Sequence, residues 1–184
     1  LVKTIGSHDT VSFVIYKNKP FELQIFFSNE VKNTSTTSIL KLLDIDEDIY
    51  QIPDVQFDSQ INMPSVDFQK YCRDLSVISD YVEIKSSDTI LEFNAFGDFA
   101  NQKIHINQTS NGMIITKSNK SVSGKYSLKY LNLFTKSTNL SNIVEMYLMT
   151  NYPLILVYYV GNLGKLGMVL SIGVDSLLVY KIEL

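Results

Sequence analysis

The chain has 184 residues, 45% of them hydrophobic, which suffices for one well-formed core or for one domain and a fraction of a second. Its net charge is only −3, so any contact with nucleic acid has to come from local basic patches rather than from the total. A single cysteine, Cys72, excludes an internal disulfide framework, and no charged-then-apolar leader or membrane-length apolar run occurs, so the sequence predicts a soluble intracellular protein.

The first 43 residues read as strands. V-S-F-V-I-Y, the turn K-N-K-P and F-E-L-Q-I-F-F come first; a Ser/Thr/Asn-rich loop at 28–38 and S-I-L-K-L-L follow. On its own this piece would expose much apolar face. Residues 44–54 then break the pattern with clustered acids and a proline. Asp44, Asp46 and Asp48 have the spacing that opens a calcium loop, but Ile49 stands where the loop needs glycine and Val55 where it needs a bidentate glutamate. A solvated linker is the better reading, and no metal or other cofactor is expected.

From Val55 the alternation of Phe57, Ile61 and Met63 leads into M-P-S-V-D-F-Q-K-Y-C-R-D-L. At about 100° per residue, Phe68, Tyr71, Cys72 and Leu75 fall on one side of a short helix and Lys70 and Arg73 on the other. Ser65 is the expected N-cap, and Asp67 complements the dipole in the first turn. Strands are expected at Tyr81–Lys85, Thr89–Phe96 and Lys103–Thr109, then a polar loop at 118–123. A second helix is expected over Gly124–Lys136, with Lys125, Lys129, Asn132 and Lys136 as one polar stripe opposite Tyr130, Leu131 and Phe134. V-E-M-Y-L-M-T, P-L-I-L-V-Y-Y-V, L-G-M-V-L-S-I and L-L-V-Y-K-I complete a strand-rich chain, and the class is α+β with antiparallel sheets and two helices covering one side.

No catalytic arrangement emerges. His8 and His105 lack a second ligand at metal spacing, and Cys72 lies on the apolar face of its helix with no histidine near in sequence. Gly161, Gly164 and Gly167 lack phosphate-loop spacing and read as a hairpin turn. Lysine on a helix face is by itself an ordinary solvated surface.

C-R-D-L-S-x-I-S-D with the strand after it, L-E-F-N-A-F-G-D, I-H-I-N-Q-T-S, L-K-Y-L-N-L-F-T-K and Y-P-L-I-L-V-Y-Y occur in an order and at a spacing that resembles the eukaryotic-type DNA sliding clamps, the proliferating cell nuclear antigen family. The resemblance runs from about Val2 to about Val174, and Leu1-Val2-Lys3 is similar to the middle of the family's first domain. It implies a ring-forming DNA-clamp fold divided into the last part of a first clamp domain (1–43), an interdomain connector (44–54) and a second clamp domain (55–184). It also implies a non-enzymatic processivity factor that encircles duplex DNA without reading its sequence. Such a factor tethers DNA polymerase and other replication and repair proteins, is set on DNA by a clamp loader, and works as a homotrimer in the nucleus or at the cytoplasmic replication site of a large DNA virus.

The residue matches follow from the same resemblance. Lys3, Lys70, Arg73, Lys129 and Lys136 match the family's DNA-facing basic positions. The strand Thr36–Leu43, with Ile39 and Lys41, and the strand Ile104–Thr109, with Ile104, Ile106 and Gln108, match its two subunit edges. Tyr50, Ile52, Pro53, Tyr152, Pro153, Val169, Ser171 and Ile172 match the groove that receives a short aromatic motif on partner proteins. Val169 stands where a tyrosine is usual, S-I where A-P is common, and G-V-D-S-L-L-V-Y-K-I-E-L, with the look of an added strand, replaces a short acidic tail. This divergence suits a large DNA virus or an AT-rich protist. The alternatives are a clamp-fold subunit of a checkpoint-type hetero-ring, a viral clamp-like factor that does not slide, and a nuclease, which would need facing carboxylates to hold metal.

Overall fold

A computed structural model describes residues 8–42, 56–109, 112–118, 120–173 and 177–183. The chain divides into two compact units, Leu1–Gln51 and Ile52–Leu184. In the first, β1 (Asp9–Ile15), β2 (Glu22–Asn29) and β3 (Thr34–Lys41) form an antiparallel sheet in that order. The β2–β3 hairpin closes with Asn33 at φ 48°, a left-handed position that asparagine tolerates. This corrects the expected loop at 28–38, because Thr34–Ser38 pair with Asn29–Ile25 as strand. Threonine is polar but β-branched, and a strand needs only a partner, not an apolar pattern. Ile25 is the one fully buried large apolar side chain among the described residues of this unit, whereas Phe13, Ile15, Phe21, Ile39 and Leu40 are exposed.

The second unit has two antiparallel sheets. One runs in the order β13 (Leu177–Glu183), β12 (Gly164–Leu170), β11 (Leu154–Val160), β10 (Ile143–Leu148), β4 (Ser59–Pro64), β8 (Ile114–Ser118); the other runs β7 (Asn101–Asn107), β6 (Ile90–Phe96), β5 (Tyr81–Ser87), β9 (Val122–Ser127). Strict alternation of buried and part-exposed residues along β4 and β5 is the period-2 signature of sheets with one face packed. Ile61, Met63, Val82, Ile84, Leu91, Phe93, Val144, Met146, Leu156 and Tyr158 thereby share one core with the helices, and the Ser59 and Ser86 hydroxyls, 2.7 Å apart, tie β4 to β5 inside it. Burial without a nearby base pushes the Cys72 thiol pKa up, as expected for a small core residue. The tail strand foreseen in the sequence is β13, paired antiparallel to β12. Among the described residues no helix is long and apolar enough to cross a membrane.

Helix α1 spans Ser65–Leu75, and α2 spans Leu128–Phe134, continuing as a 3-10 helix over Thr135–Leu140. Two expectations need correction. Pro64, not Ser65, is the N-cap of α1; proline just outside the first turn loses no helical hydrogen bond, and the buried Ser65 hydroxyl instead donates to the Ser141 carbonyl at 2.5 Å. The second helix starts four residues later than the periodicity indicates, since Gly124–Ser127 belong to β9 and pair with Ile84–Tyr81. Lys125 therefore leaves the helical stripe and stands on a strand, its ammonium 5.1 Å from the centre of the Tyr81 ring.

Candidate nucleic-acid interface and partner groove

The two helices lie beside each other and turn one face each into the core. Phe68, Cys72 and Leu75 do so from α1, and Leu128, Leu131 and Phe134 from α2. Two side-chain bonds join them: the Gln69 amide donates to the Thr135 carbonyl at 2.9 Å, and the Asn132 amide reaches the Cys72 carbonyl at 3.5 Å. With those faces fixed, Lys70, Arg73, Lys129 and Lys136 are all exposed. Arg73 Nε lies 3.6 Å from the Asp74 carboxylate with its side chain 71% exposed, a contact too open to compete strongly with another anion. Lys129 Nζ sits 5.4 Å from the centre of the Tyr130 ring, so its hydrocarbon stem lies along the helix while its charge remains in water. Exposed cations on helices whose other faces are fixed in the core can meet phosphates without reading bases. Lys3, the fifth basic position expected, lies outside the described residues.

The groove positions divide. Tyr50, Ile52 and Pro53 lie outside the described residues. Tyr152 and Pro153 are half-buried in the β10–β11 connection. Val169 is buried in a second apolar cluster with Ile155 and Val157, against which Phe57 and Tyr147 pack. The rings of Phe57 and Tyr147 are 5.3 Å apart, and Tyr152 meets Phe57 edge-on at 5.9 Å. The cluster lies on the face of the six-stranded sheet opposite the main core, because β10 and β11 pair Tyr147 with Ile155, and β11 and β12 pair Ile155 with Val169. Ser171 and Ile172 are half-buried, and Ile172 packs on the main core.

Sequence reasoning missed Phe57, Tyr147, Ile155 and Val157 as members of this surface. The signal in the sequence was a run, P-L-I-L-V-Y-Y-V, that is apolar at nearly every position and therefore on both faces of its strand. At its rim the Tyr147 hydroxyl donates to Glu145 at 2.7 Å, and the Tyr159 hydroxyl does so at 3.2 Å. Burial, and then the Glu145 carboxylate, push the Tyr147 pKa up, so the phenol stays a donor.

The subunit-edge positions fall on or just past two strands that, among the described residues, each have one hydrogen-bonded neighbour, β3 beside β2 and β7 beside β6. Ile39 and Lys41 are exposed on β3; Ile104 and Ile106 are half-buried on β7 and pack on the core. Gln108, just past β7, accepts the Ile115 backbone N–H on its side-chain oxygen at 3.3 Å. His105 shares Glu92 with Lys103 (3.1 and 2.7 Å), and these two partners, Lys103 first, hold the Glu92 carboxyl below its ordinary pKa. Among the described residues no group of three or more His, Cys, Asp or Glu is placed to hold a metal ion.

Residues 51–172 match the family model for the C-terminal domain of proliferating cell nuclear antigen. Over 175 residues the chain is 38% identical to a probable DNA polymerase sliding clamp 1 of Paramecium bursaria Chlorella virus 1, an overlap of 93% of this chain and 67% of the viral protein. Over 177 residues it is 29% identical to the proliferating cell nuclear antigen of Dictyostelium discoideum, covering 93% of this chain and 69% of that protein. With this helix pair, these antiparallel sheets and a match over more than half its length, the chain belongs to the proliferating cell nuclear antigen family.

Proposed function

We propose that this protein is a DNA sliding clamp, a processivity factor that holds DNA polymerase on its template and catalyses nothing itself. The observation that carries the reading is the joined helix pair with Lys70, Arg73, Lys129 and Lys136 all exposed on the side away from the core. Membership of the clamp family supports DNA and a polymerase as partners, ring assembly and a setting in DNA replication, and leaves the hetero-ring and non-sliding alternatives without a supporting observation.

In the finer reading the ring is a homotrimer closed head to tail through β3 and β7, and the basic helices, with Lys3, line its hole. The connector residues Tyr50, Ile52 and Pro53 complete the groove begun by Tyr152, Pro153 and Val169. A clamp loader places the ring on DNA, in the nucleus or at the cytoplasmic replication site of a large DNA virus. The test is primer extension by the cognate polymerase on a long single-primed template. Product length should rise severalfold with the protein present and loaded, and unchanged length would refute the proposal.

A further inference from the structure

The strand pairings across β4, β10, β11 and β12 arrange the face that carries the outer apolar cluster in rows. One row is Gln60, Tyr147, Ile155 and Val169; the next is Asn62, Glu145, Val157 and Gly167. Glu145, half-buried, thus stands directly beside the cluster and between two phenol rings. The Tyr147 hydroxyl donates to its carboxylate along β10 at 2.7 Å, and the Tyr159 hydroxyl does so from β11 at 3.2 Å. Burial, first of all, pushes both phenol pKa values up, so the two donors are neutral. The rest of the row adds no charge: Asn62 is an amide, Val157 is apolar and Gly167 has no side chain. None of the ion pairs among the described residues includes Glu145. Lys165, opposite Tyr159 on β12, is two strands away, about 10 Å by strand spacing. A carboxylate partly withdrawn from water and answered only by neutral donors is a site for a cation from outside the chain.

We infer that Glu145, flanked by Tyr147 and Tyr159, receives an arginine side chain of the partner segment that docks in the neighbouring groove. The inference rests on the groove reading of this face and adds to it the charge the partner carries and the residue that selects it. Arginine fits the site better than lysine, because a planar guanidinium can bond a carboxylate and also lie against a phenol ring, and it is the more weakly hydrated cation. The sheet also sets its place along the partner. Tyr147 packs on Phe57, and Phe57 on Tyr152, so the aromatic floor of the groove ends at Tyr147. Glu145 lies one two-residue step farther along β10, about 7 Å, so an extended peptide brings an arginine to it within about two or three residues of its nearest aromatic anchor.

The experiment titrates the full chain with three synthetic peptides that carry the aromatic motif and differ only at the residues flanking it: arginine, lysine or glutamine on both sides. The wild type should bind the arginine peptide about fivefold more tightly than the glutamine peptide at low salt, with lysine between them, and the preference should narrow as salt rises. Glu145→Gln should erase the preference by weakening the arginine peptide alone. Glutamine keeps an amide oxygen for the phenol donors, so the thermal midpoint should hold. The control Asp88→Asn removes the same charge from an exposed turn at φ 41°, a left-handed position that asparagine tolerates, and should keep the preference. Failure of all three peptides to bind the wild type overturns the groove reading and this inference with it. Equal binding of all three leaves the groove and overturns the inference, as does an arginine preference that persists in Glu145→Gln. A lysine peptide bound as tightly as the arginine peptide overturns the assignment to a guanidinium.

Discussion

Gln69 on α1 donates its side-chain amide to the carbonyl of Thr135, 2.9 Å away, where α2 passes into the 3-10 helix. Thr135 is buried, so the bond from Gln69 is made out of water and ties α1 to the junction of α2 with its 3-10 continuation. Gln69→Ala should lower unfolding free energy by about 1 kcal/mol, read as a lower urea midpoint at unchanged slope. It should also weaken polymerase stimulation although no charge is altered.

Replacing Lys129 and Lys136 together by glutamate changes only exposed positions, and so should spare folding and assembly. Two positive charges become two negative ones, a change of four per subunit. Processivity should fall sharply at low salt, and the difference from wild type should narrow as salt rises, because screening reduces both the attraction lost and the repulsion added. Primer extension at two ionic strengths, with sizing of the assembly, reads both outcomes.

Ile52→Asp places a charge in the proposed groove. An aromatic-motif peptide from a polymerase C-terminus should bind the variant at least tenfold more weakly in a fluorescence titration, with self-association unchanged. Equal binding to both proteins would exclude the connector from the docking site.

Cys72 lies in the core, and burial raises its thiol pKa, so it presents almost no thiolate near neutral pH. A thiol reagent at pH 8 should therefore leave the folded protein unmodified and label one group per chain as urea unfolds it. The labelling midpoint should coincide with loss of circular dichroism. Fast labelling of the folded protein would contradict the burial of α1.

Helix α1 was legible because its core contacts sit at helical spacing within one short stretch, and the apolar strands were legible by alternation. The start of α2 was not. Lys125 and Lys129 are four apart and satisfy a helical stripe, but Lys125 is held in β9 by pairing opposite Glu83, a contact some forty residues away that no local pattern records. Thr34–Ser38 failed for the same reason: their partner is β2, and their hydroxyls resemble a loop. The outer cluster stayed hidden because L-I-L-V-Y-Y is apolar on both faces. Only the register of β10, β11 and β12 divides it, sending Leu154, Leu156 and Tyr158 to the core and Ile155 and Val157 to Phe57, Tyr147 and Val169. The basic positions could be matched from the sequence, but their exposure on one joined pair of helices depends on Gln69–Thr135 and Asn132–Cys72, bonds between segments about sixty residues apart.

The central claim is that the protein is held on DNA by topology rather than by affinity, and retention on circular against linear duplex tests it most directly. The protein is loaded on a nicked circular plasmid with its cognate clamp loader, washed at high salt to screen the phosphate contacts, and then exposed to a restriction enzyme that opens the circle. Bound protein should survive the wash on the circle and leave within the time of cutting, as a ring slides off a free end. Loss during the wash, or equal retention on circular and linear DNA, would contradict a sliding clamp.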